Sequence, residues 1–355
     1  MVYFIFLIIG IFYISSFDYK KYTRGAELLY LFPFLFAWVV IAGGQDNVGT
    51  DYSAYLDMFT GDRPIDMYLK KGEYLYYSIV YLFHYVLGFN GQFFFYLFSF
   101  INVCLYISIS NKVAGRSFMI LFLLFITVST LFHAQMNGLR QCTAVYLVTL
   151  AVIEMLQLNY KRFIVYIFLA SGFHISSCIM LCFYFVRNIA LKKTTILFLI
   201  CGSAIVSFLS FDSIIFQVTS YIPQYSHYAD SEYFEKGVSL LNKLTKLTTV
   251  PLMLMSVQIL DKQILGKFEF RLYQIGMIAY FLKTICIVSS LTNRVGYFFM
   301  LLSVFPLFLY LRYLKGQNYR LYLMIVLYLI AIYSIKIILF PSGEYLYYSI
   351  YQEWI

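Results

Sequence analysis

Apolar runs follow one another along almost the whole chain, and most approach the length of about 20 residues that carries a helix across a bilayer. They are Val2–Phe17, Leu28–Ala42, Tyr74–Gly88, Phe93–Ser110, Phe118–Phe132, Cys142–Leu158, Phe163–Val186, Thr195–Phe211, Leu240–Leu260, Leu272–Leu291, Val295–Leu311 and Leu321–Phe340. With 62% of its 355 residues hydrophobic and 12% charged, this is a polytopic membrane protein. The runs are apolar all round and do not alternate with polar residues, which argues against a β-barrel and for an all-α helical bundle. They stand so close together that residues 1–355 read as a single transmembrane domain. No small-residue cleavage site follows the first run, so it is expected to be a retained helix.

The net charge of +9 sits mostly in short loops. That pattern sets orientation against a membrane and does not point to nucleic acid. If the clusters Lys20/Lys21/Arg24, Lys112/Arg116, Lys161/Arg162, Arg187/Lys192/Lys193, Lys262/Lys267/Arg271 and Arg312/Lys315/Arg320 are all cytoplasmic, the N-terminus lies outside. Two segments break the parity of that count. The tyrosine-rich run Tyr74–Gly88 is therefore expected to be an amphipathic helix on the outer face. Phe163–Val186 is expected to break at Ser171-Gly172-Phe173-His174 into two short helices, a form tolerated where it is buried in protein or lines a cavity. The expectation is about ten full spans plus the broken pair, with outer loops at 43–73 and 212–237. The six cysteines lie in apolar runs without metal-type pairing and are expected to be small core residues. The octapeptide GEYLYYSI occurs twice, at Gly72–Ile79 and Gly343–Ile350. Either the copies are two interfacial helices flanking one site, or they are a coincidence in a chain with 36 tyrosines.

Gly43–Glu73 interrupts the apolar pattern with Asp46, Asp51, Asp57, Asp62, Asp66 and Glu73. With the inferred sidedness this loop, the Asn137–Gln141 turn, Asn293-Arg294 and the tail after Pro341 collect on the outer face, and His174 approaches it from below. Asp51 follows the flexible pair Gly49-Thr50; partial burial would raise its pKa and suit it as general base toward a sugar hydroxyl, the alternative being a solvated loop acid. Glu73 heads a helix, where a carboxylate serves catalysis or complements the helix dipole. Arg140 and Arg294 begin apolar runs, and their planar forks suit a phosphate or diphosphate unless they pair with structural carboxylates. Tyr52 and Gln141 stand beside Asp51 and Arg140 and complete the substrate-binding candidates. His174 is a proton shuttle, a phosphate contact or a hydrogen-bonded packing residue. Arg63, Lys70 and Lys71 read as a solvated basic face able to touch lipid phosphates. No HExxH, paired cysteines or Walker loop is present, so neither metal nor nucleotide cofactor is expected.

GTDYSAYLDMF at Gly49–Phe59, EYLYYSIVYLFHYVLGFNGQFFF from Glu73, NGLRQ at Asn137–Gln141, FHISS at Phe173–Ser177 and NRVGYFF at Asn293–Phe299 occur in this order. Together they make the chain resemble the EpsG-like, Wzy-type polysaccharide polymerases of O-antigen (lipopolysaccharide) and exopolysaccharide synthesis. The resemblance implies a glycosyltransferase of the bacterial cytoplasmic membrane. It would join oligosaccharide repeat units carried on undecaprenyl diphosphate at the outer face, beside membrane lipids and a chain-length regulator protein. The acidic first outer loop followed by an interfacial helix also looks like the lipid-dependent C-type glycosyltransferases. This chain has tyrosine after Glu73 where the family often has proline. The roles that follow are a lipid diphosphate held by Arg140 and Arg294, and Asp51 as base with Glu73 or His174 assisting. The competing classes are a flippase of lipid-linked sugars, an O-antigen ligase and a sugar acyltransferase.

Overall fold

The computed structural model describes residues 2–17, 24–209, 240–261, 264–339 and 349–350. The described residues are helical almost throughout, and the chain divides into two compact units, 1–184 with 327–355 and 185–326. Hydrocarbon offers backbone N–H and C=O groups no partner, so a chain this apolar folds as helices, whose interior backbone groups bond one another.

The first unit contains α1 (Val2–Ser15), α2 (Arg24–Gly43), α3 (Tyr52–Thr60), α4 (Asp66–Lys70), α5 (Tyr74–Tyr81), α6 (Gly91–Val113), α7 (Phe118–Leu124), α8 (Leu131–Asn137), α9 (Leu139–Leu156) and α10 (Tyr160–Phe173). Its centre is α9, buried along nearly all its length and packed against α6, α8 and α10. Aromatic rings fill the space between α1, α2, α6 and α7: Trp38 is fully buried, stacks on Phe125 at 4.9 Å and meets Tyr106 at 5.0 Å. Gly10 admits this packing, since a Cβ there would lie 2.7 Å from Phe122. At the end of α9 remote from Arg140, the buried Glu154 receives Lys112 of α6 at 2.8 Å, Arg162 of α10 at 3.7 Å and the Asn159 amide at 2.8 Å. The acidic loop beside Arg140 and the Lys112–Arg162 cluster at Glu154 thus occupy opposite ends of α9.

The second unit contains α11 (Phe183–Val186), shared at its start with the first, then α12 (Lys193–Val206), α13 (Leu240–Leu247), α14 (Val250–Ser256), α15 (Gln258–Asp261), α16 (Lys267–Ile285), α17 (Ser290–Gly296) and α18 (Phe305–Gln317). Gly276 lets α16 cross α18 closely, because a Cβ would meet Pro306 Cδ at 2.5 Å. Arg312 pairs with Glu269, and Lys193 with Asp261. The last helix, α19 (Tyr319–Leu339), begins here and ends in the first unit.

Among the described residues five helices are long and apolar enough to cross a membrane, or seven if each of two bent pairs counts as one span. That falls short of about ten. Thr130 takes a left-handed conformation (φ 57°) and bends Phe118–Asn137 by 57°, while α1 and α12, at 14 residues, reach only about 21 Å at 1.5 Å per residue. The break at His174 lies where it was expected: α10 ends at Phe173, His174 is extended, and a tight 3₁₀ turn runs over Ile175–Cys182. The segment from Tyr74 is not among the span-length helices. It is α5 followed by a π-turn over Leu82–Val86, with Tyr76 and Val80 buried and Tyr74, Tyr81, Tyr85 and Val86 exposed. The cysteine expectation is corrected: Cys142 is buried, but Cys104, Cys178, Cys182 and Cys201 are exposed and Cys286 is half-buried. An outward helix face in lipid accepts a small apolar thiol as readily as a core does. The outer loop at 212–237 lies outside the described residues, as does most of the second GEYLYYSI copy. What is described of that copy, Ser349–Ile350, is extended and pairs antiparallel with Gln45–Asp46, whereas Ser78–Ile79 of the first copy is helical.

Candidate functional site

The acidic loop is fixed from below by amides. Gln92, buried at the start of α6, donates to the carbonyls of Gly43 (2.8 Å) and Gln45 (2.9 Å) and accepts from the Tyr52 hydroxyl at 2.9 Å. Gln45 in turn donates to the Met136 carbonyl at 2.9 Å. These buried amide bonds tie the start of the loop to α6 and to the end of α8. Tyr52, expected at the substrate, is buried and stacked on Phe95 at 4.8 Å. The structure places it as an anchor of the loop.

Gly49-Thr50-Asp51 then reaches the corner between α8 and α9. Asn137 Oδ1 accepts the Asp51 backbone N–H at 3.0 Å and the Thr50 hydroxyl at 3.3 Å. Gly49 has φ +84°, and a Cβ there would lie 2.5 Å from that oxygen, so this position requires glycine. The Asp51 carboxylate is exposed, with the Thr50 hydroxyl at 3.4 Å as its neighbour.

Glu73 is the centre of the site. Gly72 (φ +81°) turns the chain out of α4, and the Glu73 N–H returns to the Tyr68 carbonyl at 2.9 Å. The residue occupies the N-cap of α5, yet its side chain makes no capping bond. It turns inward, 1% exposed, and its two oxygens are divided: Oε2 pairs with Arg140 Nη1, and Oε1 lies 2.9 Å from His174 Nδ1. The guanidinium of Arg140 sits 4.5 Å from the Tyr68 ring centre and 5.2 Å from that of Tyr76, so aromatic faces and carboxylate together compensate a cation taken out of water. His174 reaches Glu73 because α10 stops at Phe173. Gly172 makes this possible, since a Cβ there would meet Leu75 Cγ of α5 at 2.7 Å.

Burial alone would push the Glu73 carboxyl up; the hydrogen bond from His174 and the Arg140 charge outweigh it and hold the carboxyl below its ordinary value of 4.5. A folded-state value below the unfolded one means the unfolded chain binds the proton more readily. This contribution to stability is fully present above the unfolded value and is lost as pH falls through the depressed one. Glu73→Gln is therefore expected to flatten the acid limb of a melting-temperature profile recorded in detergent from about pH 6 down to about pH 3. An unchanged acid limb would show that the carboxylate is not held ionised by its partners. Nearby, burial raises the Tyr55 hydroxyl's pKa; Arg140 opposes this and Asp51 adds to it, so Tyr55 lies within the field of both charges.

Asp51, Glu73, Arg140 and His174, spread over more than 120 residues of sequence, are thus brought to one end of the first unit. Gln141 is half-buried next to Arg140. Arg294 is exposed on α17 of the second unit, where Asn293 accepts a hydrogen bond from Lys246 at 3.0 Å. The residues that sequence reasoning missed are Asn137, Gln92, Tyr68, Tyr76 and Gly172. Asn137 and Gln92 stood inside quoted motifs, and a polar side chain at the end of an apolar run was the available signal. No group of three or more metal-ligating side chains occurs among the described residues.

A family model, EpsG, matches residues 27–352, nearly the whole chain. No curated protein and no solved structure matches.

Proposed function

Because the chain belongs to the EpsG family, a Wzy-like polymerase family of membrane proteins, we propose that it polymerises oligosaccharide repeat units carried on undecaprenyl diphosphate, at the outer face of the bacterial cytoplasmic membrane. The observation that supports this reading is the convergence of Asp51, Glu73, Arg140 and His174 at one end of a helical bundle whose other end carries the basic cluster around Glu154. A transporter needs ionisable groups along a path through the bilayer. Between Arg140 and Glu154 the central helix α9 has no Asp, Glu, Lys, Arg or His; apart from Glu73, the other such residues buried in the unit, among those described, are His133, bonded to the Tyr333 hydroxyl at 2.7 Å, and Lys336 on α19.

In the proposed reaction an acceptor-sugar hydroxyl attacks the anomeric carbon of the lipid-linked donor. The new C–O bond forms, the bond from that carbon to the diphosphate oxygen breaks, and undecaprenyl diphosphate leaves with the electron pair. Asp51, exposed on its fixed loop, takes the hydroxyl proton, and the Glu73–His174 pair assists. Arg140 orients the diphosphate with the donors it does not give to Glu73. The donor is already activated, so the step consumes no nucleotide. Arg294 is a proposed contact to anionic substrate within its own unit, and a chain-length regulator a proposed partner.

Purified protein in lipid, given undecaprenyl-diphosphate repeat units and no nucleotide, is expected to produce a ladder of multiples. Asp51→Asn protein of normal yield is expected to leave single units. A ladder of wild-type length from the variant would remove Asp51 from the mechanism, and no ladder from wild-type protein would remove the polymerase reading.

A further inference from the structure

The charge at this site does not balance with Arg140 alone. Arg140 has a side chain 21% exposed, and Glu73 already offsets its charge. A lipid diphosphate diester brings about two further negative charges, and these need cations that Glu73 does not claim.

The same turn supplies them. Lys71 closes α4 two residues before Glu73, its N–H bonded to the Met67 carbonyl at 3.1 Å, and it is exposed. Arg63, half-buried, precedes α4 and is held by its N–H to the Asp57 carbonyl at 2.9 Å. Between them stands Tyr68, whose ring lies against Arg140 and whose hydroxyl feels Arg140 and Arg63 together. Although Lys71 as a residue is exposed, partial desolvation of its ammonium holds it below its ordinary value, and repulsion from Arg140 and Arg63 adds to this against the opposing pull of Glu73. Among the described residues neither Arg63 nor Lys71 has an ion-pair partner. The neighbouring acids are engaged elsewhere or face outward: Asp62 accepts the Thr60 hydroxyl at 2.6 Å, and Asp66 is exposed in the first turn of α4. Three cations gathered around Tyr68, with the buried Glu73 paired to one of them and the exposed Asp51 also within reach of the ring, leave a net positive charge that suits an anion.

We propose that Lys71 and Arg63, together with the exposed edge of Arg140, form a diphosphate-binding site. Arg140 fixes the inner phosphate through its fork. Lys71 and Arg63 neutralise the outer one, so the charge that stabilises the departing diphosphate comes mainly from the α4 turn and not from Arg140. The identity of the ligand rests on the polymerase reading; the site itself rests on the geometry. The shared chemistry is a diphosphate, whether on a polyprenyl lipid or free in solution.

The test uses the full chain in phosphatidylcholine nanodiscs with farnesyl diphosphate as the probe. Wild-type protein is expected to bind it, and Lys71→Gln/Arg63→Gln protein to bind at least about tenfold more weakly. Lys161→Gln, which removes an exposed charge at the Glu154 end of the unit, is expected to bind as wild type does. Displacement of the probe by inorganic pyrophosphate, and not by farnesyl monophosphate, supports a diphosphate site. Equal binding by the double variant overturns the proposal. So does loss of the wild-type advantage when phosphatidylglycerol replaces phosphatidylcholine, which would make the patch a contact for bulk anionic lipid. Binding is read without polymerisation, so the two readings fail separately. A protein that binds the probe through Lys71 and Arg63 but joins no repeat units loses only the polymerase reading. A double variant that binds and polymerises like wild type loses only this site.

Discussion

Arg140→Ala protein is expected to join no repeat units and to be markedly less stable than its parent. The substitution leaves the Glu73 carboxylate, 1% exposed, without its cation, and breaking a buried pair by removing one partner costs about 3–5 kcal/mol. It also empties the space between Tyr68 and Tyr76, whose faces lose a cation–π contact worth about 1–2 kcal/mol where water is excluded. Arg140→Lys restores the charge but neither the planar fork nor its stacking, and should recover stability more than activity. Arg140→Ala/Glu73→Ala removes both charges and is expected to melt closer to wild type than Arg140→Ala does, while staying inactive. Melting temperature and ladder length on the same preparations separate the two effects. A double variant no more stable than Arg140→Ala would show that the pair is not what stabilises this end of the unit.

Gly49→Ala has the second largest expected effect, although it adds a single methyl group. At φ +84° an L-residue costs about 1–2 kcal/mol, and the new Cβ would also stand 2.5 Å from Asn137 Oδ1. That oxygen cannot retreat without abandoning the Asp51 N–H and the Thr50 hydroxyl. The loop should shift, Asp51 should leave its place, and polymer yield should fall by at least about tenfold, since misplacement by about 1 Å is enough for such losses. The origin of the defect is testable by a double-mutant cycle. In an Asn137→Gly background every Asn137 side-chain atom that the new Cβ would meet is gone, and Gly49→Ala should cost less there than in the parent. Equal cost in both backgrounds would assign the whole effect to backbone strain.

Much of this arrangement was legible in the residues themselves. Continuous apolar runs gave the helical bundle, and the ordered motifs gave the EpsG family that the family model shows. The parity of the basic clusters announced a break at Ser171–His174, and α10 does stop at Phe173, which lets His174 reach Glu73. The number of spans was not legible: hydropathy counts apolar residues, while the bend at Thr130 depends on a backbone conformation that no apolar pattern encodes. Nor was the partner of Arg140. Glu73 lies 67 residues away, and as the head of a helix it carried a local explanation, capping, that the turned-in side chain does not follow. Tyr52 was misplaced for the opposite reason: its neighbour Asp51 drew it toward the substrate, while its own bulk and hydroxyl suit the buried contact with Gln92.

The two charged ends of α9 give that helix a phase as well as a position. Arg140 is engaged at one end and Glu154 at the other, fourteen residues along, on partners that belong to different helices. One added residue between them would turn one end by about 100° and move it by about 1.5 Å. Seven would nearly restore the angle but displace that end by about 10 Å. No insertion keeps both ends in register, so α9 is a strut of fixed length, and its apolar middle can vary in composition but not in count.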